Sequence, residues 1–219
     1  SSYEPVTISA LSGSSDLFNA TIVHRDHINF NVAGDTEKLI TLSETSTADR
    51  WFSLDLGVAG LKWDIGLAPG VPSVINLDGG SGTLKIDLEE ITLESLDAEL
   101  GSGSSNFKLP ESTTAYTVDI NSGSGSVTMA MPAATDLTVT ISSSSGAVTL
   151  QVPSGAAFQV EVLDDGSGTV RLPSDLNLVQ GDGNFEQDTW LTPGFETADS
   201  QILIRIVDRG SGSIWITQN

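Results

Sequence analysis

The sequence predicts an all-β protein, and within that class a parallel β-solenoid (a β-helix or β-roll) of about ten turns with a 21–22-residue repeat. Three observations carry this: glycine corners at near-constant spacing, alternating apolar residues on both sides of each corner, and prolines that close the second run. An antiparallel sandwich also suits short strands at regular intervals. The constancy of the register favours the solenoid.

The corners come first. The last glycine of each one falls at Gly82, Gly103, Gly125, Gly146, Gly168 and Gly212, with spacings of 21, 22, 21, 22 and 44. The final gap equals two periods, so one turn without a clean corner is expected between Gly168 and Gly212. Gly13, Gly34 and Gly60 continue the series more loosely upstream. Glycine suits such a corner because every turn must bend sharply there, in a left-handed conformation that costs glycine little.

The flanks repeat with the corner. Before it stand the pairs Ile75/Leu77, Leu96/Ala98, Val118/Ile120, Val139/Ile141, Val160/Val162 and Ile204/Ile206. After it stand Leu84/Ile86/Leu88, Phe107/Leu109, Val127/Met129/Met131, Val148/Leu150/Val152, Val170/Leu172 and Ile214/Ile216. Period-two alternation is the mark of strands with one buried face. Pro110, Pro132, Pro153 and Pro173 follow the second run, where a residue without an N–H ends a ladder. Two short strands cannot bury their apolar face alone; stacked on copies of themselves, they can.

Two regions depart from the pattern. Residues 1–72 read as less regular N-terminal turns, with Trp51, Phe52 and Trp63 as large apolar residues and APGVP at 68–72. Residues 73–219 read as the regular solenoid, with a loop inserted at about 174–200. Terminal turns need caps against exposed edges. Trp190, Phe195 and the outward-facing Trp215 suit that purpose and form the expected interaction surface.

Composition narrows the partners. The chain has 219 residues, a formal net charge of −20 and nine Lys and Arg. That disfavours nucleic acid, whose phosphates need a basic footprint, and anionic membrane surfaces. There are no cysteines, which excludes disulfides and thiolate chemistry. No apolar run approaches a membrane span. The chain starts at Ser1, which reads as a mature or trimmed segment, with membrane contact only through an anchor absent from this chain.

Several of these stretches together resemble a known family. LDGGSGTLKIDLEEITLESLDAELGSGS, the units GSGSVTMAMP, SSGAVTLQVP and GSGTVRLP, a late WLTPGFETA and a closing IRIVDRGSGSIWI resemble the bacterial toast-rack domains. These are relatives of the C-terminal domain of Lia-type cell-wall-active antibiotic response membrane regulators and of β-repeat adhesin candidates. The resemblance implies a bacterial envelope location, extracytoplasmic and membrane-anchored or at the cell surface. It offers no catalytic residues to carry over.

The residues themselves hold little chemistry. His24 and His27 flank Asp26 in TIVHRDHINF; on a strand, that spacing puts the two rings on opposite faces, a poor metal pair. Asp78, Asp164, Asp165 and Asp182 lie beside glycine turns, yet GGSGTL places Leu84 where the calcium β-roll repeat needs Asp. They read as solvated turn residues. The outward columns, Asn76, Asp97, Asp119, Thr140, Glu161, Arg205 before the corner and Lys85, Lys108, Thr128, Thr149, Arg171, Trp215 after it, are mixed rather than uniform. Glycan-cleaving β-helices need clustered acids on one face; the acids here are dispersed.

No catalytic, cofactor or metal residue is therefore expected. The expected function is a non-enzymatic interaction or sensory module of the cell envelope, with an envelope protein or cell-surface partner. An adhesin or a self-assembling structural protein, associating end to end or as a dimer, is the alternative; a glycan-active enzyme ranks behind both.

Overall fold

The computed structural model describes residues 5–24, 27–45, 62–163 and 166–219. They are almost wholly β-structure, with one 3-10 turn at Phe195–Thr197. The N-terminal part supplies β1 (Val6–Ala10), β2 (Phe18–Val23), β3 (His27–Ala33), β4 (Leu39–Thr45) and β5 (Lys62–Leu67). Trp51, Phe52, Gly60, Asp26, Asp164 and Asp165 lie outside the described residues.

From Ser73 onward the chain forms two-strand units, each bent at a glycine corner. They are β6/β7 (Ser73–Gly79, Thr83–Asp87), β8/β9 (Leu93–Leu100, Ser104–Lys108) and β10/β11 (Tyr116–Ser122, Ser126–Ala130). Next come β12/β13 (Leu137–Ser143, Ala147–Val152) and β14/β15 (Phe158–Val162, Thr169–Arg171). A hairpin of β16 (Asn177–Gln180) and β17 (Asp188–Leu191) follows, and the unit β18/β19 (Ile202–Asp208, Ser213–Gln218) ends the chain.

The first strands of the units build an eight-stranded sheet, β16-β17-β14-β18-β12-β10-β8-β6, and the second strands a nine-stranded one, β15-β19-β13-β11-β9-β7-β1-β5-β2. Unit pairs with unit in parallel, Val118 opposite Leu96 and Val139, Met129 opposite Phe107 and Leu150. Both sheets are mixed, because β2 joins β5 antiparallel and β17 joins both β14 and β16 antiparallel. The hairpin β3–β4 forms a separate two-stranded sheet.

The alternation places the core where the sequence puts it. Leu96, Val118, Val139, Val160 and Ile204 from one sheet face Ile86, Phe107, Met129, Leu150 and Ile216 from the other, all buried. Burying each such side chain is worth about 1.5–3 kcal/mol. Ile75 and Leu77, on the outermost strand of the eight-stranded sheet, are only partly buried against this core.

Three expectations need correction. First, six two-strand units form among the described residues rather than about ten. Second, the 44-residue gap hides no further turn in line with the others: it holds the antiparallel β16–β17 hairpin. The last unit then turns back and wedges between two earlier ones, β18 between β12 and β14, and β19 between β13 and β15. A similar insertion occurs at the other end, where β1 lies between β5 and β7.

Third, the corner glycines are not left-handed. None of the six marker glycines has a positive φ, whereas Gly13 and Gly34 do (φ 67° and 90°). What requires glycine is stacking. A Cβ on Gly103 would overlap the carbonyl oxygen of Gly82, one on Gly125 that of Gly103, one on Gly146 that of Gly125 and one on Gly212 that of Gly146. At Gly82, the outermost marker corner, a Cβ would meet nothing within 4 Å. The carbonyls of Gly103, Gly125, Gly146 and Gly212 each accept a hydrogen bond from the neighbouring unit, as from Ser126 N–H to Gly103 O (2.9 Å) and from Ala147 N–H to Gly125 O (3.0 Å).

Candidate interaction surfaces

The insertion between β15 and β18 shapes one end of the molecule. Its tip, residues 181–187, bends through positive φ at Gly181, Gly183, Phe185 and Gln187. Positive φ is costly for Phe and Gln. The buried carboxylate of Asp188 holds the bend: Oδ1 accepts from the N–H groups of Asp182 (3.0 Å) and Gly183 (3.3 Å), and Oδ2 from that of Phe185 (2.7 Å). Phe185 stacks on Trp190 at 5.7 Å between centroids, and both rings pack against the core.

The chain then crosses the outer face of the eight-stranded sheet. Thr192 and Phe158 exchange backbone and hydroxyl bonds (3.0 Å each from Phe158 N–H to Oγ1 and from Thr192 N–H to Phe158 O). Gly194, at φ 80°, leads into the 3-10 turn at Phe195. The Gln201 amide donates Nε2–H to Phe195 O (2.8 Å) while its backbone N–H reaches Asp136 Oδ1 (2.9 Å). These bonds frame a groove of about 540 Å³ lined by Glu94, Thr117, Asp136, Gln159, Phe195 and Gln201 among others. It combines two aromatic residues, Phe195 and Tyr116, with amides, hydroxyls and carboxylates, the mixture that lets a pocket orient a polar partner.

Trp215 sits elsewhere, on the outer face of the nine-stranded sheet. It is 44% exposed, in register between Thr149 and Arg171, and the Arg171 guanidinium lies 5.3 Å from its ring centre. The three residues singled out from the sequence therefore have three settings. Trp190 is a pillar against the core, Phe195 lines the groove, and Trp215 stands on the opposite sheet.

A second, shallower groove of about 500 Å³ runs along the corners over stacked serines and glycines. The hydroxyls of Ser104 and Ser126 are 2.9 Å apart there.

The remaining candidates scatter. His27 opens β3 and His24 lies just beyond β2, both exposed. Asp78 points to solvent on β6, and Asp182 Oδ1 accepts the backbone N–H of Asn184 (3.2 Å). Among the described residues no three His, Asp or Glu side chains cluster closely enough to hold a metal ion. Asp97 and Asp119 are in register, as the outward column predicted. In the other column Asn106, not Lys108, aligns with Lys85. Lys108 instead bridges Asp87 (2.8 Å) and Glu89 (3.1 Å), which lowers the Asp87 carboxyl and raises the lysine. Arg205 lies beside Glu161 (3.0 Å) because the last unit packs against β14. Asp188 escaped sequence reasoning; its signal was an acid two residues ahead of the apolar pair Trp190–Leu191 and behind a glycine-rich turn.

The model of the family described as "N-terminal domain of toast_rack, DUF2154" matches residues 6–130. The chain belongs to the toast-rack family. Its fold is similar to a crystal structure of a proposed cell adhesion protein from Clostridium sporogenes ATCC 15579, at 16% sequence identity and a TM-score of 0.58, covering 98% of this chain and 88% of that one. No curated protein matches. Among the described residues of this toast-rack chain, no helix is long and apolar enough to cross a membrane.

Proposed function

We propose that this toast-rack chain is a non-enzymatic, adhesin-like module of the bacterial cell surface, a β-solenoid whose stacked units form a rigid support for one binding end. The groove beside Phe195 carries the reading. It is the place where the repeat is broken, and the break is built deliberately, with a buried carboxylate, a stacked aromatic pair and a doubly bonded Gln201 holding the insertion against the sheet. The likeness to a protein proposed to act in cell adhesion supports the same direction.

In this reading the partner is an envelope or cell-surface protein or receptor that places a polar segment across the groove, with Phe195 as its anchor. An extracytoplasmic location and attachment through a neighbouring anchor follow from the role, and a sensory function would use the same surface. A self-assembling structural protein is the second reading, favoured by β6, which lies at the outer edge of the eight-stranded sheet among the described residues. Such an edge is a template for another strand.

The test is retention of partners from envelope extracts on immobilised protein, comparing wild type, Phe195→Ala and Trp215→Ala. A central aromatic anchor is worth ~2 kcal/mol or more, roughly thirtyfold in affinity. Loss of partners with Phe195→Ala and retention with Trp215→Ala supports the groove. Undiminished capture by Phe195→Ala contradicts it.

A further inference from the structure

We infer that the nine-stranded sheet is a tension clamp: force entering the chain ahead of β1 and leaving it beyond β19 loads the ladders around both strands partly in shear rather than wholly by peeling. The inference goes beyond the adhesin-like reading, in which load would leave through the Phe195 groove, and rests on strand order.

The first and last described strands share one sheet, and neither lies at its edge. β19 is held by six register pairs to β13 on one side and three to β15 on the other. β1 is held by five pairs to β5 and three to β7. Every ladder from β1 through β7, β9, β11 and β13 to β19 is parallel. The chain therefore enters β1 at one end of the strands and leaves β19 at the opposite end.

Direction decides how the hydrogen bonds fail. Pulled along the strands, the bonds of a ladder share the load and must yield together; pulled across them, they open one after another from the end. Five ladders separate β1 from β19, about 24 Å at ~4.8 Å per strand, and a strand of this length spans about 17–20 Å. Tension between residues 5 and 219 thus crosses the strands at about 50°, so that about 0.6 of it acts along them and about 0.8 across them. Had the units stacked in chain order, β15 would lie between β13 and β19, and the last strand would be an edge with one partner. Wedging β19 between two neighbours doubles the ladders that must break.

The chain has no native cysteine, so handles can be placed at will for optical-tweezers unfolding of the intact protein. Pro5→Cys with Asn219→Cys gives the geometry with a shear component. Ala133→Cys with Asn219→Cys places both handles beyond the same ends of the strands, so that the pull runs across the ladders. At equal loading rate, forced unfolding reads the unfolding barrier; since only about 0.8 of the pull opens the ladders in the first geometry, the clamp predicts a rupture force about 1.25-fold or more higher there. An equal or lower force overturns it. No binding partner enters the measurement, so loss of the adhesin reading would leave this result standing, and a failed clamp would leave the Phe195 groove untouched.

Discussion

The carbonyl oxygen of Gly103 occupies the space that a side chain on Gly125 would need. The same relationship recurs from corner to corner, so the glycine repeat records close axial approach of one backbone to the next. It ends at Gly82, which faces open space.

That asymmetry gives a stability test. Gly125→Ala must push two backbones apart, at a cost of about 2 kcal/mol or more, whereas Gly82→Ala should stay within ~0.5 kcal/mol of wild type. Urea denaturation of the two variants checks it, with the Gly125 variant unfolding at lower denaturant.

Asp188 governs the insertion. Replacing it with Ala leaves the part-buried N–H groups of Asp182, Gly183 and Phe185 without their acceptor, and a hydrogen bond to a charged group is worth about 1.5–3 kcal/mol. Hydrogen exchange should show residues 181–187 losing protection while Val118, Val139 and their neighbours keep theirs. Asp188→Asn, which retains an acceptor oxygen, should fall between.

The Lys108 bridge predicts a pH dependence. Its hydrogen bond holds the Asp87 carboxyl below its ordinary value of 3.8. A depressed carboxyl contributes stability that is present above 3.8 and is lost as pH falls through the lower folded value. The melting-temperature difference between wild type and Lys108→Met should be constant near neutrality and shrink only below about pH 4. Being exposed, the pair should contribute little at any pH.

Binding should divide the two aromatic surfaces. Phe195→Ala is expected to reduce partner affinity about thirtyfold without lowering stability much, because the ring lines a groove. Trp190→Ala is expected to destabilise by about 3 kcal/mol or more, since the indole packs on Phe185 and the core. Equilibrium binding and thermal melts on the same samples separate the effects.

Much of the fold was legible in the sequence, because period-two alternation reports which side chains face inward regardless of neighbours. Leu96, Val118, Val139, Val160 and Ile204 are all buried as the pattern requires. Periodicity cannot report which unit lies beside which. Gly168 and Gly212 are two periods apart in sequence, yet their corners are adjacent, with Thr169 N–H donating to Gly212 O (2.9 Å). A parallel ladder of Val and Ile accepts either neighbour, so nothing local distinguishes the order. The candidate site was half legible: the break at 174–200 pointed to Phe195, but the groove also draws on Glu94, Thr117 and Asp136 from regular units. Only the fold brings these together.

The wedged position of the last unit is the central claim, and one measurement tests it most directly. In a methyl-labelled, otherwise deuterated sample, nuclear Overhauser contacts should join Val148 to Ile214 and Ile214 to Val170, the register pairs of β19 with β13 and β15. Val148 and Val170, two ladder steps or about 9.6 Å apart, should show at most a weak contact. A strong direct contact between Val148 and Val170, with none from Val148 to Ile214, would mean that the units stack in chain order and would contradict the account.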